Sequence, residues 1–172
     1  MKKKRSQSEL ITSILLILLA IALISIIFAV VIPMVRNNLN KSKECYELTG
    51  KISFDNSLGL ICYDRTNKKL DVTVHYGDAM EEKIKGFVIS VMSNGSSKAF
   101  RIDSASVEDV FMYGGIGIFG NASLTFPGNN EEKTYSMNMS KYSEPQIIEL
   151  YAVAKSGNLC EGKLNTMLIE RC

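Results

Sequence analysis

Residues 2–35, KKKRSQSELITSILLILLAIALISIIFAVVIPMV, decide how the rest of the chain is read. Four basic residues, Lys2, Lys3, Lys4 and Arg5, precede Ser-Gln-Ser-Glu. Then come 26 consecutive residues without a charge, from Leu10 to Val35, among which only Thr12, Ser13 and Ser25 are polar. As an α-helix this run is about 39 Å long, more than the roughly 30 Å hydrocarbon core of a bilayer. A secretory signal has a shorter apolar centre of roughly 7–15 residues and ends in a small-residue cleavage motif. This run ends in Ile-Pro-Met-Val-Arg instead, so the segment predicts a retained membrane helix. The four basic residues on one side, against the single Arg36 on the other, place the amino end in the cytoplasm and everything after Arg36 outside the cell.

With 172 residues the chain has room for one domain and an accessory segment. The formal charge of +2 sits at the start: residues 36–172 carry 16 basic and 17 acidic side chains. No basic stripe with interleaved aromatics follows the first five residues, which excludes nucleic-acid binding. Two further features fit export. Asn-X-Ser/Thr acceptor triplets stand at Asn40, Asn94, Asn121 and Asn138, and such sites have meaning only on an exported surface. Four cysteines, Cys45, Cys62, Cys160 and Cys172, form an even set suited to disulfides in an oxidising compartment. Three pairings are possible. Proximity in sequence favours Cys45–Cys62 with Cys160–Cys172, each short loop adding about 3 kcal/mol in the chain-entropy model. A metal centre is disfavoured, since there is no C-x-x-C pair and His75 is the sole histidine.

The helix is expected to continue past Val35 to about Ser42, with a kink at Pro33, which removes a backbone donor and crowds the preceding turn. From Cys45 onward the texture changes to short β-rich runs, at 45–53, 58–63, 70–76, 84–92, 99–102, 119–126, 134–139, 147–155 and 167–171. Asn94-Gly95, Pro127-Gly128-Asn129-Asn130 and Ser156-Gly157-Asn158 supply the turns. Apolar residues alternate in Leu70-Asp-Val72-Thr-Val74-His-Tyr76 and Tyr135-Ser-Met137-Asn-Met139, predicting one buried and one wet face. The expected fold is α+β: a long apolar helix, then eight or nine antiparallel strands in a sandwich of immunoglobulin-like size.

Gly115-Ile-Gly117-Ile-Phe-Gly120 matches the dinucleotide fingerprint G-x-G-x-x-G. That motif needs a helix after it to receive the pyrophosphate, whereas Asn-Ala-Ser-Leu-Thr-Phe-Pro-Gly reads as strand and turn. It is taken as a glycine-rich connection offering Ile116, Ile118 and Phe119 as exposed apolar residues. His75 reads as a half-exposed strand residue without triad partners. Asp103, Glu108 and Asp109 lack the oxygen spacing of a calcium loop, and read as a solvated face. No cofactor or catalytic site is expected. Glu9 opens the apolar run, where a carboxylate costs roughly 2.5–3.5 kcal/mol if carried to the bilayer centre and less near the interface. It either sits among head groups or meets a positive partner, such as a free α-amine created by cleavage nearby.

The stretch Arg5-Ser6-Gln7-Ser8-Glu9-Leu10-Ile11-Thr12-Ser13-Ile14-Leu15-Leu16-Ile17 resembles the amino terminus of archaeal type IV pilins and archaellin-like proteins, over roughly the first 35 residues. The resemblance implies that a prepilin peptidase removes a leader of residues 1–5, cutting between Arg5 and Ser6 and making Glu9 the fourth residue, where many members have proline. It implies a filament-core or membrane helix over 6–42, with Leu10, Ile14, Leu16, Ile17, Ala20, Ala22, Ser25, Ala29 and Pro33 on its packing surface, and a β head over 43–172. The implied partners are copies of the chain itself, membrane lipid before assembly, a membrane platform protein and a cytoplasmic ATPase, this chain having no P-loop. The expectation is a non-enzymatic surface-filament subunit for adhesion or attachment. The competing reading is an uncleaved single-pass protein whose head binds a ligand or partner.

Overall fold

The computed structural model describes residues 3–78, 82–114, 117–120 and 123–172, with side chains from residue 11 onward. It contains helix α1 (Lys3–Ile26), a π turn (Ile27–Val31), helix α2 (Ile32–Leu48), and strands β1 (Ile52–Phe54), β2 (Cys62–Asp64), β3 (Lys69–Tyr76), β4 (Ile84–Ser93), β5 (Ser96–Ile102), β6 (Val110–Met112), β7 (Glu132–Asn138), β8 (Ile147–Ala154), β9 (Asn165–Leu168) and β10 (Glu170–Arg171). The chain divides into two units, Met1–Ser42 and Lys43–Cys172. The class is α+β.

The distortion expected at Pro33 takes the form of a π turn just before it. Pro33 has no N–H to return to the preceding turn, and its ring crowds the carbonyl four residues back. The helix widens there, and the Ile32 N–H reaches the Ile27 carbonyl, five residues back. Helix α2 then runs on to Leu48, so the strand expected over 45–53 is corrected: its first four residues are helical and only Ile52–Phe54 is extended. Nothing between Met34 and Leu48 breaks a helix. The stop is Gly50 at φ +75°, with the Thr49 N–H bonded to the Tyr46 carbonyl and Lys51 N–H to that of Leu48.

One sheet has the order β10-β2-β3-β7-β6, and β1 pairs with the same edge of β3 beyond β2. The second has the order β5-β4-β8-β9. Every pairing is antiparallel except β2 with β10, which is parallel, against the all-antiparallel expectation. Alternation puts Leu70, Val72, Val74 and Tyr76 of β3 in one core with Tyr135 and Met137 of β7, Phe87, Ile89 and Val91 of β4, and Ile148, Leu150 and Ala152 of β8. The β4–β5 reversal is the Asn94-Gly95 hairpin, both residues at positive φ between the paired Ser93 and Ser96.

Three strand expectations are revised. Of the 58–63 run only Cys62 and Tyr63 are extended, the strand being Cys62–Asp64. Residues 123–126 are not extended into a strand; Leu124 alone is fully buried there, its N–H bonded to the Ala105 carbonyl. The strand lies instead at β6, too short to show a period and held by pairing with β7. The 167–171 run breaks at Ile169, whose N–H bonds the Gln146 carbonyl.

The cysteine pairing is also corrected. The bridges are Cys45–Cys160 and Cys62–Cys172, separated by 115 and 110 residues. The cause is topological: β10 lies parallel beside β2, carrying the last residue to Cys62. The turn after β8 meets the end of α2, where the Ser156 hydroxyl donates to Glu44, so that Cys160 reaches Cys45. Either loop alone is worth about 4.7 kcal/mol in the chain-entropy model. They overlap over residues 62–160, so these values do not add.

Candidate functional site

The first candidate is the apolar helix. From Ile11 to Val31 every residue is exposed, including Ile14, Leu16, Ile17, Ala20, Ala22, Ser25 and Ala29, and Pro33 is exposed beyond it. A stretch of Ile11–Leu48 is long and apolar enough to cross a membrane. A helix apolar on all sides has no wet face to offer solvent and must be covered by lipid or by protein. Each large side chain so covered contributes about 1.5–3 kcal/mol. Ser25, the polar side chain in the middle of the run, donates its hydroxyl to the Ile21 carbonyl at 2.8 Å, so it enters an apolar surrounding already satisfied. At Arg5, Ser6, Glu9 and Leu10 the backbone is helical.

The glycosylation candidates differ in setting. Asn40 is exposed on α2, and Asn94 is exposed at the tip of the β4–β5 hairpin, its Oδ1 accepting from Gln146. Asn138 is half-buried at the end of β7, its Oδ1 taken by the Ser140 N–H. Asn121 lies outside the described residues, as do Gly115 and Ile116 of the glycine-rich stretch. Gly117 and Gly120 adopt positive φ, and no helix follows Gly120 among the described residues before β7. Ile118 is exposed, but Phe119 is not free as expected: it is half-buried and stacks on Phe111 with ring centroids 5.3 Å apart. The acids of the solvated face are paired, Asp103 with Arg101, and Glu108 and Asp109 with Lys141.

The outer face of the larger sheet departs most from expectation. Asp71 and Thr73 were to be wet, yet they are only 5% and 3% exposed. Cross-strand partners make this tolerable. Ser136 donates its hydroxyl to Asp71 at 2.6 Å, Lys69 pairs with the same carboxylate at 2.9 Å and lies over the Tyr113 ring, and Thr73 and Thr134 share a hydrogen bond. A buried carboxylate satisfied in this way is held in one geometry.

One rung further, sequence reasoning missed an arrangement. His75 is half-exposed and pairs in register with Ser53 of β1 and Glu132 of β7. Asp55 follows β1, its N–H bonded to the Thr73 carbonyl and its Oδ1 accepting from the Ser57 N–H at 2.7 Å. One ligating atom each of Asp55, His75 and Glu132 lie within 4.8 Å of one another. The Ser57 amide, then its hydroxyl, hold the Asp55 carboxyl below its ordinary range, with smaller help from Glu132 and the His75 charge. No local signal joins these three residues: 20 positions separate the first two and 57 the last two, and only the strand register brings them together.

A cleft of about 530 Å³ is lined by Tyr63, Asn94, Glu144, Gln146, Leu168 and Arg171. Within it Glu144 pairs with Arg171, and also with Arg65 outside the lining.

Comparison of the chain with protein-family models, with curated proteins and with solved structures finds no match.

Proposed function

We propose that the chain is a structural subunit of a type IV pilus-like surface filament of the archaeal kind, its helix packed among copies of itself in the filament core and its head facing outward for adhesion or attachment. The observation that carries this reading is the helix, charge-free from Leu10 to Val35 and exposed on every side from Ile11 to Val31. Lipid covers such a surface before assembly. Neighbouring copies cover it afterwards, because exchanging lipid tails for equally apolar side chains is nearly neutral, and close packing at Ala20, Ala22, Ser25 and Ala29 then decides association. Head-to-tail contacts that do not close produce a helical fibre.

In this reading a prepilin peptidase cuts between Arg5 and Ser6 on the cytoplasmic side, and a cytoplasmic ATPase with a membrane platform protein drives extrusion. The two disulfides suit a head outside the cell. The head is read as a sandwich of immunoglobulin-like size. Its support is the pair of sheets sharing one core, where the Phe87 ring meets Tyr76 and Tyr135 edge-on.

The test is to shear native cells, look for polymer of this chain by electron microscopy, and repeat with Ala20→Leu and Ala29→Leu. Polymer from the native chain, lost in the variants while they still insert in membrane, is the expected result. A chain found only as membrane-bound monomer would replace this reading with that of an anchored binding protein.

A further inference from the structure

We infer that Asp55, His75 and Glu132 form a binding site for a first-row divalent cation, of which zinc fits best, on the outer face of the larger sheet. The inference stands apart from the filament reading. Each ligand comes from a different strand region: Asp55 from the turn leaving β1, His75 from β3 and Glu132 from β7. Asp55 and His75 are half-buried and Glu132 lies exposed at the start of β7, which leaves an ion access while the backbone is fixed by the sheet.

The chemistry of the donors selects the ion. One imidazole nitrogen and two carboxylate oxygens suit zinc and its neighbours, whereas calcium and magnesium take oxygen ligands. Three protein ligands with a fourth position left to water is a common zinc arrangement. Bonds of about 2.0–2.2 Å put tetrahedral ligand atoms about 3.4 Å apart. The atoms here lie within 4.8 Å, so side-chain rotations moving them by roughly 1 Å complete the shell.

Charge supplies a second, independent argument. Two ionised carboxylates within 4.8 Å of each other repel unless a proton or a cation lies between them. Two other acids at this sheet have cationic partners, Asp71 with Lys69 and Glu131 with Lys133. Among the described residues no lysine or arginine ion pair involves Asp55 or Glu132. A divalent cation cancels both charges, and it clamps the end of the three-residue β1 onto β3 and β7.

The full chain, in detergent micelles and carrying no polyhistidine tag, is titrated with Zn²⁺ in competition with a chromophoric chelator. One equivalent bound, weakened at least about tenfold by each of His75→Ala, Asp55→Asn and Glu132→Gln, is the expected result. The sole histidine gives a direct readout, since its imidazole resonances must shift on zinc addition. Circular dichroism establishes that each variant is folded. If Asp55→Asn disturbs the Ser57 turn, His75→Ala decides alone, because His75 is not part of the core. No uptake above the chelator background, or zinc affinity unchanged in folded His75→Ala, overturns the site.

Discussion

Cys45 on the last turns of α2 is bonded to Cys160 beyond β8, across 115 residues of sequence, so the end of the helix is covalently part of the head. Cys62–Cys172 does the same for the carboxyl end. Non-reducing peptide mapping is expected to recover peptides joining 45 to 160 and 62 to 172. Replacing Cys45 and Cys160 together by alanine is expected to lower head stability by about 2–5 kcal/mol, read by denaturant unfolding.

Tyr76 and Tyr135 both bury their rings against Phe87, but their hydroxyls fare differently. That of Tyr135 donates to the Thr125 carbonyl at 2.8 Å, while that of Tyr76 has no protein partner among the described residues. Tyr135→Phe is expected to cost about 1–3 kcal/mol by orphaning the carbonyl, whereas Tyr76→Phe is neutral or stabilising. Melting temperatures check the contrast, at roughly 2–4 °C per kcal/mol for a chain of this size.

Burial pushes the Tyr76 and Tyr135 phenols well above the ordinary tyrosine range. A folded value above the unfolded one contributes stability that is whole below the unfolded pKa, about 10, and is lost as pH rises further. Alkaline absorbance titration of the seven tyrosines is therefore expected to show these two ionising only as the head unfolds.

Acid acts in the opposite sense. The Arg65 guanidinium and then Arg171 hold Glu144 below the usual carboxylate range; the Tyr151 hydroxyl and then Lys163 do so for Glu149. Depressed carboxylates contribute stability above their unfolded pKa that disappears as pH falls through the folded one. The melting temperature is expected to hold from neutral pH to about 5 and to fall below about 4.5.

Gly86 sits at the irregularity of β4, where an added Cβ would lie 2.1 Å from the Ile102 carbonyl oxygen. Backbone cannot yield as a side chain does, so Gly86→Ala is expected to cost about 1–3 kcal/mol. At Gly162, where a Cβ meets nothing within 4 Å, the same change should stay within about 0.5 kcal/mol.

The sequence made the helix legible because an uncharged run from Leu10 to Val35 has few other uses. It made β3, β4, β7 and β8 legible because their apolar residues recur at the spacing of a strand or crowd into β-rich runs. Hidden features depended on register. Asp71 and Thr73 read as wet by alternation alone, and only the pairing with Ser136 and Thr134 explains how they stay buried. The cysteine pairing failed for a like reason: proximity along the chain favoured local bridges, while the parallel placement of β10 on β2 was invisible. The Asp55, His75 and Glu132 group has no motif at all, being assembled by three strands.

The most direct test of the filament account is the intact mass and amino-terminal sequence of the protein from native membranes and from sheared surface material. The account predicts a chain starting at Ser6 and present in the sheared fraction. A chain starting at Met1 or Lys2 and confined to membranes would contradict it.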